Sequence, residues 1–363
     1  MEIRHIKKSE WGKLRAFNEA EYPPGHILTD KIYYDWQFGS PFHSDSSTYS
    51  TLGAFNETGD LVGIIAFFEV PCKLPENTAS GIWMANLMVK SDFRSLGLGY
   101  LLLEKASSFG DIIIDYDINQ TAWPLFMKSG WKGMNVKRYL IVLKSDQTSQ
   151  VAGVSINGSS LGTGMGGSAG YDIEVIDRFE NEMDQFWSRI KSRYPITIER
   201  SSLYMNWRYA DCPLVNYHIL YAKKNNEIVA CAIIRIDEIV EGAERSPIGV
   251  RVGRIIDLFG LAEADEEILR AVIDFCKEQN VAFIDFFYTG RFYDKALSAV
   301  GFVDSDQPPY ASIPTLLNPI DRIKRTKNNF AFRLMNQNFK DSRIDDLDNW
   351  FSTKGNGDQD RPY

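Results

Sequence analysis

The chain has 363 residues, 44% of them apolar, which is long for one domain and sufficient for two with a core each. Its net charge is −8, and the only dense basic run is Lys324-Arg325-Thr326-Lys327, so nucleic acid is excluded as the expected partner. The four cysteines, Cys72, Cys212, Cys231 and Cys276, form neither a CxxC pair nor a zinc spacing, and no apolar run reaches the length of a membrane span; no metal site and a cytoplasmic address are expected.

In chain order, a helical N-terminal region ends near Tyr33-Tyr34-Asp35-Trp36-Gln37-Phe38. Strands follow at 49–55 and 61–70, joined by the turn Asn56-Glu57-Thr58-Gly59-Asp60, then a strand at 82–89. A helix over about 97–109, a strand at 112–116, a short helix before Gly130-Trp131 and a last strand at 138–143 complete the first unit. Residues 145–170 are rich in Gly, Ser and Thr, the composition of a flexible linker or loop.

The second half repeats this order. Trp207 matches Trp36, the run 228–233 matches 61–66, Asp257-Leu258-Phe259 matches Asn86-Leu87-Met88, Ile284-Asp285 matches Ile114-Asp115, and Gly301-Phe302 matches Gly130-Trp131. These pairs lie 171, 167, 171, 170 and 171 residues apart, a nearly constant offset that marks a tandem duplication. Hairpins feeding a strand–helix–strand crossover predict an α+β fold, with a mixed, mostly antiparallel sheet flanked by helices in each unit. The expected division is 1–145, a linker at 146–170, a second unit at 171–320, and a tail at 321–363 docked by Trp350 and Phe351 and otherwise mobile.

One segment carries the chemistry. After the apolar strand ending at Val89, Arg94-x-x-Gly97-x-Gly99 opens an amphipathic helix. Glycines there let a ligand approach the backbone, and the free N–H groups of a helix's first turn attract an anion such as a pyrophosphate. In the second unit, Asp265, Ile268 and Arg270 replace Arg94, Gly97 and Gly99, and Glu263, Glu266 and Glu267 crowd the helix start. That half should repel a pyrophosphate.

The run Leu87-x-Val89-x4-Arg94-x-x-Gly97-x-Gly99-x-Leu101-Leu102, with Asn119-x-x-Ala122-x-x-x-Phe126-x-x-x-Gly130-Trp131 after it, resembles the acyl-CoA segments of the GNAT acyltransferase superfamily. The resemblance implies a three-layer GNAT-like fold in two tandem copies and an acyl-CoA-dependent N-acyltransferase. Main-chain N–H groups of Ser95, Leu96, Gly97, Leu98, Gly99 and Tyr100 would hold the CoA pyrophosphate, with Arg94 of the same motif also at the cofactor. Leu87, Met88 and Val89 would pair with the pantetheine arm, Asn119 would contact the distal part, and Phe126 is counted with the cofactor-binding residues. Two departures stand out: Phe126 occupies the place of the superfamily's acidic Tyr, and Ala85-Asn86 the place of its carboxylate base.

Asn86, Asp115 and Asp257 remain the catalytic candidates. Asp257 is the counterpart of Asn86 in a strand where a carboxylate is unexpected; it also suits a structural carboxylate paired with Arg251, Arg254 or a turn N–H, and the symmetry of Asp115 with Asp285 suits a structural role for both. With acid and base both replaced, an amine of depressed pKa becomes the natural acceptor. The duplication with one retained loop, the Trp-Arg-Tyr and Asp-Trp-Gln-Phe segments and the Gly-Asp-x-Asp-Arg-Pro tail resemble N-acyltransferases of nucleotide-linked amino sugars in anthrose-type surface-polysaccharide pathways. This implies acetyl-CoA or a short hydroxyacyl-CoA as donor. The acceptor would be a dTDP- or UDP-linked amino sugar such as dTDP-4-amino-4,6-dideoxyglucose. An acyl-CoA sensor without turnover and an aminoacyl-tRNA-dependent cell-wall peptide transferase stay open as alternatives, as does a homodimer.

Overall fold

The computed structural model describes residues 1–158, 170–242, 246–321 and 328–361. Apolar, β-branched runs form the strands of the first half: β1 (Glu2–Lys7), β2 (Thr48–Phe55), β3 (Leu61–Lys73), β4 (Thr78–Val89), β5 (Ile112–Tyr116), β6 (Lys132–Asn135) and β7 (Lys137–Val142). Its helices are α1 (Trp11–Glu21), α2 (Lys31–Phe38), α3 (Ser91–Arg94), α4 (Leu98–Ser107), α5 (Trp123–Lys128) and α6 (Ser145–Ala152). Period-two alternation sends Ile64, Phe68, Ile112 and Ile114 to the face covered by Leu14, Phe17, Tyr34 and Phe38 of α1 and α2. Ile65, Phe67 and Ile113 face the opposite way, against Leu98, Leu102 and Leu103 of α4 and Phe126 of α5.

The second half contains β8 (Asp172–Ile176), α7 (Asn181–Ile190), β9 (Thr197–Ile198), α8 (Ser202–Met205), β10 (Tyr217–Lys224), β11 (Glu227–Glu238) and β12 (Arg251–Gly260). After these come α9 (Asp265–Glu278), β13 (Phe283–Tyr288), α10 (Asp294–Val300), β14 (Val303–Asp304), β15 (Asn329–Leu334) and α11 (Ser342–Asp345). One sheet has the order β1-β2-β3-β4-β5-β15-β6, with β9 also on β3; the other has the order β14-β7-β13-β12-β11-β10-β8. Within these sheets β4–β5 and β12–β13 pair in parallel.

Sheet membership departs from sequence order in a reciprocal way. The strand expected to close the first unit, β7, inserts between β13 and β14 of the second sheet. In exchange β15, in the expected tail, inserts between β5 and β6 of the first. The two halves are therefore interlocked, and the stretch 137–142 belongs to the second sheet rather than to the first.

The supposed linker is also more ordered than its composition suggests. Ser145–Ala152 is a helix ended by Gly153 at φ 71°, while residues 159–169 lie outside the described ones. The tail is no mobile appendage. Trp350, Phe351 and Ser352 through Asp358 are buried, and Trp350 packs on Phe330 and Phe332 of β15.

The duplication is visible as a local two-fold axis. Trp36 Nε1 donates to the Trp207 carbonyl at 2.7 Å, and Trp207 Nε1 donates to the Trp36 carbonyl at 3.0 Å. Equivalent β-bulges also recur. The β3–β4 register passes from Ala66↔Asn86 to Phe67↔Met84, leaving Ala85 unpaired; the β11–β12 register passes from Ile233↔Asp257 to Ile234↔Ile255, leaving Ile256 unpaired. A bulge adds local twist and re-aims the side chains beside it, here those of Asn86 and Asp257.

Candidate active site

Strands β4 and β5 pair only from Gly81↔Ile112 to Trp83↔Ile114, so they splay beyond Trp83 and leave a split in the first sheet. The second sheet splays in the same way, its last β12–β13 pair being Ile255↔Phe286. The Lys90 N–H bonds the Val62 carbonyl at 3.0 Å on the β3 side. Antiparallel alternation then turns the N–H and C=O of Val89 and Leu87 away from β3, toward the split. Gly260 and Leu258 hold the same places in the second sheet, where Leu261 N–H bonds the Val229 carbonyl at 2.8 Å.

What meets those edges differs between the halves. In the second, the Tyr293 hydroxyl bonds the Leu258 carbonyl at 3.1 Å, the Gly260 N–H bonds the Tyr194 hydroxyl at 3.0 Å, and Arg193 donates to the Gly260 carbonyl at 2.8 Å. In the first, Arg94 Nε caps the Val89 carbonyl at 2.8 Å. Among the described residues no side chain takes the Leu87 carbonyl or the Val89 N–H. That edge is free to accept an extended, amide-bearing chain as an added strand.

The loop above the split runs through α3 into α4. Gly97 stands at φ 71°, a left-handed conformation that a residue with a Cβ adopts at a cost, and starts the helix. Leu98 and Leu102 anchor α4 in the core, while Ser95, Leu96 and Gly97 are exposed. The first intrahelical bond is that of the Leu101 N–H to the Gly97 carbonyl at 3.1 Å, so the N–H groups before it are available to an anion. At the corresponding place in the second half, Arg193 pairs bidentately with Asp265 at the start of α9, with Nη1 at 2.7 Å. A phosphate is shut out there by the carboxylate.

Two expected cofactor residues have structural duties. Asn119 Oδ1 accepts the Ala122 N–H at 2.8 Å and so caps the turn into α5; its side chain is exposed. Phe126 is buried against Trp131, ring centroids 4.8 Å apart, and belongs to the core rather than to an open surface.

The three catalytic candidates separate clearly. Asp257 is fully buried. Arg200 grips it with Nε and Nη2, both at 3.0 Å; the Thr353 hydroxyl at 3.1 Å, the Tyr209 hydroxyl at 3.3 Å and the Leu258 N–H at 3.0 Å take the remaining lone pairs. No oxygen of Asp257 is left for proton transfer, which corrects its standing as a candidate base. Asn86 and Asp115 instead flank the mouth of the first split. Asp115 is the first β5 residue past the last β4–β5 pair, and Asn86 lies just past the same pair on β4.

Asp115 and Asp285 are equivalent, yet only one is neutralised. Arg138 of β7 binds Asp285 through Nη2 at 2.8 Å, and despite burial the charge of Arg254, followed by that of Arg138, holds the carboxyl below the usual carboxylate range. In the first sheet the register position of Arg138 is filled by Asn329 of β15, whose amide is used on both the N–H and C=O of Ile118. Among the described residues no cation pairs with Asp115. Burial, and next the Asp358 carboxylate, push its pKa well above the usual range.

The tail completes the mouth. A Cβ on Gly357 would stand 2.5 Å from Trp83 Nε1, so only glycine lets the chain cross at the end of the β4–β5 ladder. Beyond it, Arg361 Nη1 reaches Asn86 Oδ1 at 3.0 Å and Asp358 at 3.2 Å. Asp360 is held by Arg208, beside the two-fold axis. From the α1–α2 loop, Tyr22 and His26 stack at 4.3 Å, and the His26 Nδ1 accepts the Leu28 N–H. Burial, assisted by Arg361, pushes the His26 pKa down to about 4, so this imidazole is neutral at pH 7. Sequence reasoning missed Arg200, Arg361 and Asp358. The signal available was a pair of glycines, Gly355 and Gly357, within a polar tail.

No family model matches the sequence, and no curated protein matches it. Solved structures do match in shape. Saccharomyces cerevisiae N-myristoyltransferase with bound myristoyl-CoA and inhibitors superposes with a TM-score of 0.55 at 12% identity, over 92% of this chain and 80% of that one. A GCN5-related N-acetyltransferase from Anabaena variabilis gives 0.57 at 9% identity, over 92% and 72%. A probable N-acyltransferase from Enterococcus faecalis gives 0.58 at 7%, over 93% and 73%. At these identities the likeness establishes the fold: two mixed sheets flanked by helices, of the GNAT-like kind.

Proposed function

We propose that the chain is an acyl-CoA-dependent N-acyltransferase whose donor site lies wholly in the first half. The observation that carries this reading is the asymmetry of the two splits. The second is sealed by Tyr194, Tyr293 and Arg193, whereas the first keeps the Leu87 carbonyl and the Val89 N–H open below a glycine-started helix. The residues fit the group. The N–H groups at Gly97, Leu98, Gly99 and Tyr100 suit a pyrophosphate, and the β4 edge suits the amides of a pantetheine arm. Solved neighbours of this fold include one with bound myristoyl-CoA, which agrees with a CoA thioester as donor.

Acyl-CoA would supply the activated acyl group as a thioester. On the protein side, Asp115 is assigned as the base. Its raised pKa makes it a stronger base than an ordinary aspartate, suited to take a proton from the attacking amine and return it to the departing sulfur. The N–C bond forms as the C–S bond breaks, and the products are an amide and the free thiol. The acceptor would lie over the mouth between Tyr22, His26 and Arg361, a flat aromatic pair beside a cation. A small amine carrying an anionic group suits those walls, and the resemblance noted from sequence makes a nucleotide-linked amino sugar the first to try.

Calorimetry with acetyl-CoA, paired with thiol release in the presence of amino-sugar nucleotides, tests both levels. Gly97→Asp places a negative charge where the pyrophosphate would sit, in space that a Cβ finds open. A loss of CoA affinity of about 100-fold or more is expected, against a stability loss of only about 1–2 kcal/mol from placing a side chain on the left-handed backbone. Parent-like affinity in that variant would remove the donor site from this loop. Thiol release with every amine except amino sugars would keep the enzyme and change the acceptor.

A further inference from the structure

We infer that Asn86 is the oxyanion donor of this site, and that Arg361 of the C-terminal tail is the residue that orients it. The inference rests on the acyltransferase reading and assigns a new role within it. Asn86 is 7% exposed, and its Nδ2 is buried without a hydrogen-bond partner. A buried amide donor left unmade is costly, and its retention at the mouth of the split suits a partner that arrives from outside.

The orientation of the amide follows from its neighbour. A guanidinium only donates hydrogen bonds, so the Asn86 atom facing Arg361 at 3.0 Å must be the carbonyl oxygen. The two amide atoms lie on opposite sides of their carbon, and Arg361 therefore turns Nδ2 the other way. The bulge at Ala85 sets this side chain at the place where the ladder between β4 and β5 ends. A chain laid against Leu87 and Val89 would end with its thioester carbonyl at that place.

The counterpart position shows what the substitution achieves. Asp257, one duplication later, is an acceptor-only group saturated by Arg200, Tyr209 and Thr353. Replacing carboxylate by amide removes a charge that would oppose a developing oxyanion and supplies an N–H instead. The negative charge that forms on the carbonyl oxygen when the amine adds is met by Asn86 Nδ2. It returns to the carbon as the C–S bond breaks, and the proton moves from the amine through Asp115 to sulfur.

The test has a spectroscopic and a kinetic arm. Isotope-edited infrared spectra of [1-13C]acetyl-CoA bound without acceptor should show the carbonyl band displaced to lower frequency relative to free acetyl-CoA, and Asn86→Ala should abolish most of that displacement. The same variant should lose about 10²–10³-fold in kcat while calorimetric CoA affinity and KM for the amine change little. Arg361→Ala should weaken both signals, and Arg361→Lys, which also only donates, should restore them; a tail that merely packs would not distinguish the last two. An unchanged band in Asn86→Ala with kcat within a few-fold of the parent would overturn the assignment. Failure of the parent to bind acetyl-CoA at all would instead fall on the donor-site reading, and calorimetry registers that separately.

Discussion

At four equivalent positions the two halves of this chain have made opposite choices. The split edge is closed by two tyrosines and an arginine in the second half and open in the first. The helix start beyond it carries Asp265 paired with Arg193 in one and Gly97 in the other. Asp285 has Arg138 and Asp115 has no cation among the described residues; Asp257 is saturated and Asn86 Nδ2 is orphaned. Each second-half group finds a partner within the chain, although Asp285 Oδ1 stays buried without one, and each first-half group is left with more capacity to spare. Folding alone would favour the satisfied version at all four places, since every unmet buried polar group costs stability. At these four places the larger cost falls in the first half, which separates a scaffold from a site built on the same frame.

The largest effect should come from breaking the second half's strongest pair. Arg200→Met leaves Asp257 buried with only hydroxyl and N–H partners, and urea unfolding should show a loss of about 3–5 kcal/mol. Arg200→Met with Asp257→Leu should recover most of that loss, because the uncompensated charge goes with it. Turnover per folded molecule in the double variant should match the parent. A drop of about 100-fold would mean that Asp257 takes part in proton transfer after all.

A second test converts the first half toward the second. Asp115→Asn should cut kcat by about 10²-fold or more. The sign of the pH dependence is set by the raised pKa of Asp115: the base works only when ionised, so the parent rate rises as pH climbs through that pKa. Asp115→Asn should remove this acid limb. Asn329→Arg, which brings a guanidinium to the register position Arg138 holds beside Asp285, should move the limb to lower pH. An identical limb in Asp115→Asn would place the titrating group elsewhere, with Asp358 next in line.

Much of this was legible in the sequence, because strand alternation, hairpin turns and the glycine-started helix are local patterns. The constant offset between halves exposed the duplication, and the acidic start of α9 foretold that the second loop is lost. Strand exchange was not legible. Lys137–Val142 reads as the same strand whichever sheet it joins, and only the packing of Tyr139 and Leu140 against β13 and β14 decides. The ion pair of Asp257 was hidden for a related reason: its partner Arg200 lies 57 residues away. The tail misled by composition. Gly355 through Asp360 reads as solvated chain, yet the Asp360 carboxylate is met by Arg208 and its carbonyl by Arg235, inside elements that look like ordinary core, while Asp358 is met by Arg361.

The smallest effect concerns what keeps the halves alike at their axis. Trp36→Phe removes one indole donor and leaves the Trp207 carbonyl unpaired, and Trp207→Phe does the converse. Each should cost about 1 kcal/mol, the ordinary worth of such a bond. The two bonds share one geometry, since the rings sit 5.8 Å apart and each indole binds the backbone of the other. Losing the first should therefore loosen the second, and the double variant should cost less than the sum of the singles. A coupling near zero in that cycle would show that each half holds its tryptophan independently. The comparison between halves would then rest on the exchanged strands β7 and β15, and shared stability would have to be sought in that interlock.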